Sequence, residues 1–110
     1  MLILNADRAI IAPEKLRDYL LNPDHRRGSS KARLLLSCGY RAEAWQVLET
    51  HLRSQHLTID YTATKNNAFG RRFEIRANLA TPSGRTIIFR SIWQIDDGTE
   101  VPRLITMYPR

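Results

Sequence analysis

The chain has very little cysteine and no long apolar stretch. Cys38 is the only cysteine, so no disulfide can form within the chain. No apolar run approaches the ~20 residues that a membrane-spanning helix needs. The N-terminal stretch is interrupted by Asn5, Asp7 and Arg8 and does not resemble a signal peptide. We therefore expect a cytoplasmic protein with no membrane partner.

Sequence motifs for common cofactors are missing as well. The chain contains neither a P-loop nor a GxGxxG sequence. Its histidines, His25, His51 and His56, do not combine with Cys38 at a spacing typical of zinc ligands. We therefore expect neither a metal nor a cofactor.

Lysine is scarce although the chain is strongly basic. Of 17 basic residues, 14 are Arg and only 3 are Lys, and 11 acidic residues leave a net charge of +6. The planar Arg guanidinium grips phosphate and stacks on bases, so this composition favours a nucleic-acid partner. The basic excess lies in two patches, residues 24–33 and 65–90. The alternative is a soluble protein that is merely basic.

The composition is that of an ordinary globular domain. Hydrophobic residues make up 43% of the 110 residues and charged residues 25%, so intrinsic disorder is not expected. We expect residues 1–110 to form a single domain. Its first part, residues 1–55, should be mainly helical, and residues 56–110 should form an antiparallel sheet.

The first half of the chain has the period of amphipathic helices. Leu16, Tyr19 and Leu20 lie at i, i+3 and i+4, the spacing of one helix face. Pro13 suits the first position of a helix, and Gly39 suits the position after one. The predicted elements are an apolar arm over residues 2–11, helices over residues 13–21, 31–38 (capped by Ser30) and 41–54, and a loop over residues 23–29.

After Gln55 the period changes to two, which is typical of strands. The predicted strands cover residues 57–64, 71–80, 85–95 and 103–108, with turns at KNNAFG and TPSG. Together the two halves predict an α+β fold, with N-terminal helices packed on one face of a four-stranded antiparallel sheet. The opposite face should carry Thr58, Asp60, Thr62, Arg72, Glu74, Arg76 and Arg90.

Several separated motifs from Asn5 to Tyr108 also resemble those of a known bacterial domain family. They are N-A-D, K-L-R-D-Y-L-L-N-P-x-H, K-A-R-L, G-R-R-F-E-I, T-P-S-G-R-T-I-I-F-R-S-I-W and P-R-L-I-T-M-Y. That uncharacterised family occurs as small standalone proteins and at the C-termini of polymorphic toxins. Its layout of helices followed by four strands is similar to the barnase–EndoU–colicin–RelE group of small ribonucleases.

The resemblance implies a metal-independent ribonuclease that acts as a toxin and is inhibited by a small antitoxin or immunity protein. One departure matters: the family often has a histidine immediately before K-A-R, and this chain has Ser30 there. If that histidine is a catalytic acid or base, only His25 could replace it. The alternative is a non-catalytic module that binds RNA, or an antitoxin or immunity-type protein that binds a partner.

Metal-free RNA cleavage needs a base near the ribose 2′-OH, an acid at the leaving 5′-oxygen, and cations around the phosphorus. Glu74, the only acid within residues 65–90, is the candidate base, although it could simply pair with a cross-strand Arg. His25 is the candidate acid, although it could be a solvated loop residue.

The candidate cations lie in both basic patches. Lys31 and Arg33 open the second predicted helix, where an anion is favoured, although both could be solvated. Arg90 lies in an otherwise apolar strand, so its charge needs a partner or a purpose. The predicted catalytic set is completed by Thr106. The predicted contacts to RNA, which could be tRNA or mRNA, are Arg72, Arg76, Arg103 and Tyr108.

Overall fold

The computed structural model describes residues 1–27 and 29–110 and has the predicted α+β architecture. Gly28, in the loop predicted over residues 23–29, lies outside the described residues. The helical elements come first and the antiparallel sheet second. In chain order they are a 3-10 turn (Ala6–Arg8), a π-helical segment (Lys15–Leu20), helix α1 (Ser29–Ser37), a second 3-10 turn (Ala42–Ala44), helix α2 (Gln46–Gln55), and strands β1 (Ala63–Asn67), β2 (Gly70–Ala80), β3 (Thr86–Asp96) and β4 (Arg103–Pro109).

The first predicted helix is present, but its turns are wider than those of an α-helix. The backbone N–H of Leu21 donates to the carbonyl of Leu16 at 2.8 Å, which is an i to i+5 hydrogen bond. Leu16 and Leu20 are fully buried, as their spacing predicts, and Tyr19 is half-buried. The widened turn therefore places Tyr19 at the margin of the core.

The two α-helices differ from the predicted ones at their starts. Helix α1 begins at Ser29 and ends before Gly39, whose φ of 96° lies in the region that glycine tolerates best. Helix α2 begins at Gln46 because Arg41 is extended, with φ −136° and ψ 142°, and a 3-10 turn follows it. Leu48 of α2 is fully buried, as predicted.

The four strands form an antiparallel meander in the order β1-β2-β3-β4. One face of the sheet packs against the helical layer. Alternate residues of β2 and β3 supply this inner face, and they share one buried cluster with the helices. Its members include Phe73, Ile75, Leu79, Phe89, Trp93 and Met107 from the sheet and Leu16, Leu35 and Leu52 from the helical elements. The opposite face of the sheet is therefore available for another role.

The predicted strand over residues 57–64 is wrong for residues 57–62, and only Ala63 and Thr64 belong to a strand. The N–H of Leu57 donates to the carbonyl of Leu52 at 3.0 Å, so this segment begins as the last turn of α2. Asp60, predicted on the outer sheet face, instead pairs with the N-terminal ammonium of Met1 at 2.6 Å. Thr58 likewise precedes the sheet. Apolar alternation over so short a stretch did not distinguish a strand from a helix terminus.

Strand β1 begins at Ala63, later than predicted, and continues to Asn67, into the segment assigned to a turn. Its five residues are all exposed, so no apolar pattern marked them as a strand. The turn is shorter than predicted, at residues 68–69. The side-chain oxygen of Asn67 closes it by accepting the N–H groups of Phe69 and Gly70 at 2.9 and 3.0 Å.

The N-terminal arm packs along the helical layer and reaches β4. Ile3 and Ile11 are buried, whereas Leu2 and Leu4 are exposed. The arm adds a short parallel pairing to β4: the N–H of Leu104 donates to the carbonyl of Ile10 at 2.9 Å. The beginning of this edge strand is therefore covered.

Candidate functional site

The outer face of the sheet presents its side chains in three cross-strand rows. Strand register defines them, and neighbouring rows are about 7 Å apart along the strands. Five of the row residues are basic, and Glu74 is the only acid among them. The rows are Arg76, Arg90 and Tyr108; then Ala63, Glu74, Ile92 and Thr106; then Lys65, Arg72, Gln94 and Arg103.

An irregularity in β4 decides which of its side chains face outward. Thr106 pairs with Ile92, but the next pair along is Leu104 with Trp93, so Ile105 is an extra residue in a β-bulge. The bulge lets Arg103 and Thr106 point to the same face although they are three residues apart. Thr106 and Tyr108 share a face, as predicted, and Arg90 and Trp93 lie on opposite faces.

A groove of about 430 Å³ runs across the outer face and joins all four strands. Ile92 supplies an apolar floor, and polar groups surround it. This mixture suits a ligand that combines flat apolar surface with charge, as a nucleotide does. The lining residues are Ala63, Thr64, Lys65, Arg72, Glu74, Ile92, Thr106 and Tyr108.

Glu74 and Arg90 form an ion pair beside this groove. Arg90 Nη1 lies 3.6 Å from Glu74 Oε1, and Arg90 Nε donates to the backbone carbonyl of Arg110. The guanidinium of Arg90 in strand β3 therefore has the hydrogen-bonding and charged partners that a charge in an otherwise apolar strand needs. The cross-strand pairing that was the alternative for Glu74 is present. Its side chain remains 22% exposed and lines the groove, so the carboxylate is also reachable.

Lys31 of α1 reaches the end of the groove at β4. Its Nζ donates to Thr106 Oγ1 at 3.1 Å and to the hydroxyl of Tyr19 at 2.9 Å. An ammonium has three N–H donors, so one remains for a further acceptor. Three elements that are distant in sequence therefore meet at one ammonium group.

Tyr19 is the central residue of this cluster, and sequence reasoning assigned it only to the helix core. Its ring meets the His25 ring edge to face, with 4.7 Å between centroids, and Lys15 Nζ lies 5.4 Å from the ring centroid. Burial raises the pKa of the Tyr19 phenol, but hydrogen bonds from Lys31 and Thr106 and the charges of Lys31 and Lys15 outweigh it. The pKa therefore lies below its ordinary value. The only feature of the sequence that could have pointed to Tyr19 was its hydroxyl group within an otherwise apolar face of the predicted helix.

His25 joins the cluster through Tyr19 rather than through the groove. Its Nδ1 accepts the backbone N–H of Arg27 at 3.1 Å. A backbone amide can only donate, so Nδ1 carries no proton and the neutral ring carries its proton on Nε2. In this arrangement His25 is a hydrogen-bond donor.

Two predicted basic residues lie apart from the groove. Arg33 follows Lys31 by two positions, which places it about 200° around α1, and its side chain is exposed. Arg103 binds Asp96 through two contacts of 2.7 and 3.3 Å. The hydrogen bond and charge of Arg103 lower the pKa of Asp96.

Arg76 also faces outward, but it lines a different depression, of about 590 Å³, together with Arg85 and Arg110. Of the predicted site residues, the groove brings together Arg72, Glu74, Thr106 and Tyr108. Lys31 joins them through Thr106, and Arg90 through Glu74.

The other two histidines do not line the groove. His51 Nδ1 is 2.7 Å from the Tyr40 hydroxyl. His56 is fully buried, with Nδ1 2.7 Å from Ser91 Oγ, which also accepts the indole N–H of Trp93 at 2.9 Å. Burial lowers the pKa of His56 to about 4, and the backbone of Ala77 opposes part of that shift. This buried Ser–His pair is inaccessible to a substrate.

Within residues 1–27 and 29–110, no three His, Cys, Asp or Glu side chains cluster in a way that could hold a metal ion. In the same described part of the chain, no helix has the length and apolar character needed to cross a membrane.

The fold and groove define a small α+β protein with a basic, solvent-facing sheet surface. Over residues 2–110 the chain belongs to the family described as domain of unknown function DUF6883. Its fold is similar to that of a chain in a contact-dependent growth inhibition toxin–immunity protein complex from Klebsiella pneumoniae 342. The TM-score is 0.75 with 17% identity, over 96% of each chain, so the likeness is one of fold. No curated protein matches the sequence.

Proposed function

We propose that this protein is a metal-independent endoribonuclease that acts as a toxin and is inhibited by a cognate immunity protein or antitoxin. The observation that carries the proposal is the groove, which is lined by Arg72, Glu74 and Thr106. Lys31 is joined to it through the hydrogen bond from its ammonium to Thr106. Such a groove combines cations for a phosphate with a carboxylate that can accept a proton. The proposed site of action is cytoplasmic RNA, such as tRNA or mRNA.

The proposed reaction is attack of a ribose 2′-OH on the adjacent phosphorus. Glu74 acts as the base, because its carboxylate lines the groove and Arg90 keeps it oriented. The third N–H of Lys31 and the exposed guanidinium of Arg72 bind the phosphate oxygens. Both cations also stabilise the negative charge that develops on the pentacoordinate phosphorus.

Tyr108 and Ile92 offer surface for the bases. Both residues line the groove, and Tyr108 is half-buried beside Arg90. Aromatic rings stack on unpaired bases whatever their sequence, so this surface favours single-stranded or looped RNA over a duplex.

The toxin role is supported by the fold. A chain of nearly the same length in a complex of a toxin with its immunity protein has the same architecture. Because that complex contains two kinds of protein, the likeness supports a toxin and an immunity-type protein alike. The basic groove favours the toxin, since its expected inhibitor is an acidic protein that covers the groove.

The direct test is to incubate the purified protein with total tRNA and with total RNA, each with and without EDTA. We expect fragments that end in 2′,3′-cyclic phosphate and that persist in EDTA. Lys31→Ala and Glu74→Gln should abolish cleavage while the proteins remain folded. Arg41→Ala is the matched control, because the Arg41 side chain is 74% exposed and lies 4.0 Å from Glu43, at the limit of an ion pair. Intact RNA at high concentrations of folded protein would refute the proposal.

The second candidate function is a non-catalytic module that binds RNA or a protein partner. Ser30 favours it, because this position often carries a histidine in the family that the sequence resembles. RNA binding without cleavage, with an affinity that falls steeply as salt rises, would support the RNA-binding version. A stoichiometric complex with a separate toxin would support the immunity-type version.

A further inference from the structure

We propose that Tyr19 is the general acid that protonates the leaving 5′-oxygen during RNA cleavage. The inference rests on the proposed ribonuclease function and names a catalytic residue that the sequence did not indicate. It replaces His25 in that role. Three observations support it: the contacts of the Tyr19 hydroxyl, the charges around it, and the protonation of the neighbouring histidine.

The hydroxyl of Tyr19 is held at the groove end by groups that act on its oxygen. Lys31 Nζ donates to this oxygen at 2.9 Å and to Thr106 Oγ1 at 3.1 Å. An ammonium can only donate, so Lys31 occupies a lone pair of the phenol oxygen and leaves the phenolic proton for another acceptor.

The surroundings of Tyr19 stabilise the phenolate that such a transfer leaves behind. Lys31 approaches from α1, and its Nζ also lies 5.3 Å from the centre of the Tyr19 ring. Lys15, on the same helical segment as Tyr19, lies 5.4 Å from that centre. The other groups that face Tyr19 are His25 from the loop and the hydroxyl of Thr106 from β4. Asp18, the adjacent carboxylate, is already paired with Arg17 at 2.8 Å. The pKa of Tyr19 is accordingly lowered.

His25 is poorly arranged to serve as the acid. Its Nδ1 accepts the N–H of Arg27, so a second proton on the ring would place two N–H groups against each other. The ring edge packs on Tyr19 instead, with an angle of 82° between the two ring planes. We therefore assign His25 as a positioning residue for Tyr19.

Cleavage forms one bond to phosphorus, breaks another and moves two protons. The bond between the 2′-oxygen and phosphorus forms while the bond between phosphorus and the 5′-oxygen breaks. The 2′-OH proton passes to the carboxylate of Glu74, and the phenolic proton of Tyr19 passes to the leaving 5′-oxygen. The products are a 2′,3′-cyclic phosphate and a free 5′-OH, and exchange with water restores both side chains.

The test uses two versions of an oligoribonucleotide that the wild type cleaves at one bond. One has the natural oxygen at the 5′-bridging position of that bond, and the other has sulfur there. A thiolate leaves without being protonated, so it does not need a general acid. We expect Tyr19→Phe to slow cleavage of the oxygen substrate by about 10²–10⁴-fold and to cleave the sulfur substrate at nearly the wild-type rate.

Tyr61→Phe is the matched control, since it removes a hydroxyl whose contact is the sulfur of Met1 at 3.9 Å. It should cleave both substrates as the wild type does. Circular dichroism and thermal unfolding should show that both variants are folded. A Tyr19→Phe variant that is slow on both substrates has a structural defect, and that result would overturn the assignment as an acid.

The pH profile separates Tyr19 from His25 as the acid. An imidazolium that acts as the acid loses its proton as the pH rises towards neutral, whereas a phenol keeps its proton there. With Tyr19 as the acid, activity persists through neutral pH and declines only where the phenol titrates. His25→Gln should keep that alkaline limb, with a lower rate because Tyr19 is less well positioned.

The outcomes distinguish the inference from the function on which it rests. A wild type that cleaves neither substrate overturns both. A wild type that cleaves, together with a Tyr19→Phe variant that cleaves the oxygen substrate equally fast, overturns only the role of Tyr19. Phenolate absorbance gives an independent reading, because Lys31→Gln should shift the titration of Tyr19 to higher pH.

Discussion

Acid should destabilise this protein through one buried histidine. His56 is fully buried between α2 and the sheet, and its Nδ1 is 2.7 Å from Ser91 Oγ. Burial lowers the pKa of His56 from 6.5 to about 4, because the interior disfavours the charged ring. The folded protein therefore keeps His56 neutral under conditions in which the unfolded chain protonates it.

The sign of the effect follows from proton binding. Between pH 6.5 and about 4 the unfolded state holds more protons at this residue, so the free energy of unfolding falls as the pH falls. The stabilisation is complete above pH 6.5, and its loss levels off below about pH 4. A shift of this size corresponds to about 3 kcal/mol in the free energy of unfolding.

The assay is urea unfolding of the wild type and of His56→Gln at pH 7.5 and at pH 4.5. The variant should be less stable at pH 7.5, because the amide fits the buried site less well. It should lose less stability on acidification, by about 2–3 kcal/mol. Carboxylates that are ion-paired titrate in both proteins, so the difference between the two isolates His56. Equal losses in the two proteins would refute the reasoning.

Three further predictions concern the hairpin, the groove and a surface ion pair. Gly70→Ala should lower the free energy of unfolding by about 1–3 kcal/mol, measured by urea unfolding, because φ is 151° and an added Cβ would collide with the carbonyl of Ile95. Arg72→Ala should weaken RNA binding and reduce the slope of log affinity against log salt by about 1, measured by fluorescence anisotropy; an unchanged slope would remove Arg72 from the interface. Asp96→Ala should change the free energy of unfolding by less than about 1 kcal/mol, because its ion pair with Arg103 is at the surface.

The fold was predictable wherever burial imposed a period on the sequence. Strand β2 has buried residues at alternate positions, and β3 has an apolar sequence that is buried on both faces at its centre. The predicted bounds of both strands agree with the structure to within one residue at each end. Strand β1 has no buried residue, so its sequence carried no such period. It is held by backbone pairing with β2 and by the side chain of Asn67, and neither leaves an apolar pattern.

The candidate site was predictable in composition but not in arrangement. Alternation alone placed Arg72, Glu74 and Arg90 on one face, and the register confirms this placement. The alternation of apolar and polar residues could not show that Arg103 would form an ion pair with Asp96. It also gave no reason to separate Lys31 from Arg33, which differ only in the side of α1 from which they project.

The amino-acid sequence by itself determined the α+β class, the basic outer face of the sheet and the inner apolar face, because local periodicity encodes which side of an element is buried. Tertiary structure alone decided that Lys31 meets Thr106, 75 residues away, and that Tyr19 lies between Lys31 and His25. Those contacts depend on how α1 and the π-helical segment pass the edge of β4, where a single extra residue in a bulge sets the direction of Thr106. Local sequence patterns do not contain that information, because it depends on distances between segments that are remote in the chain.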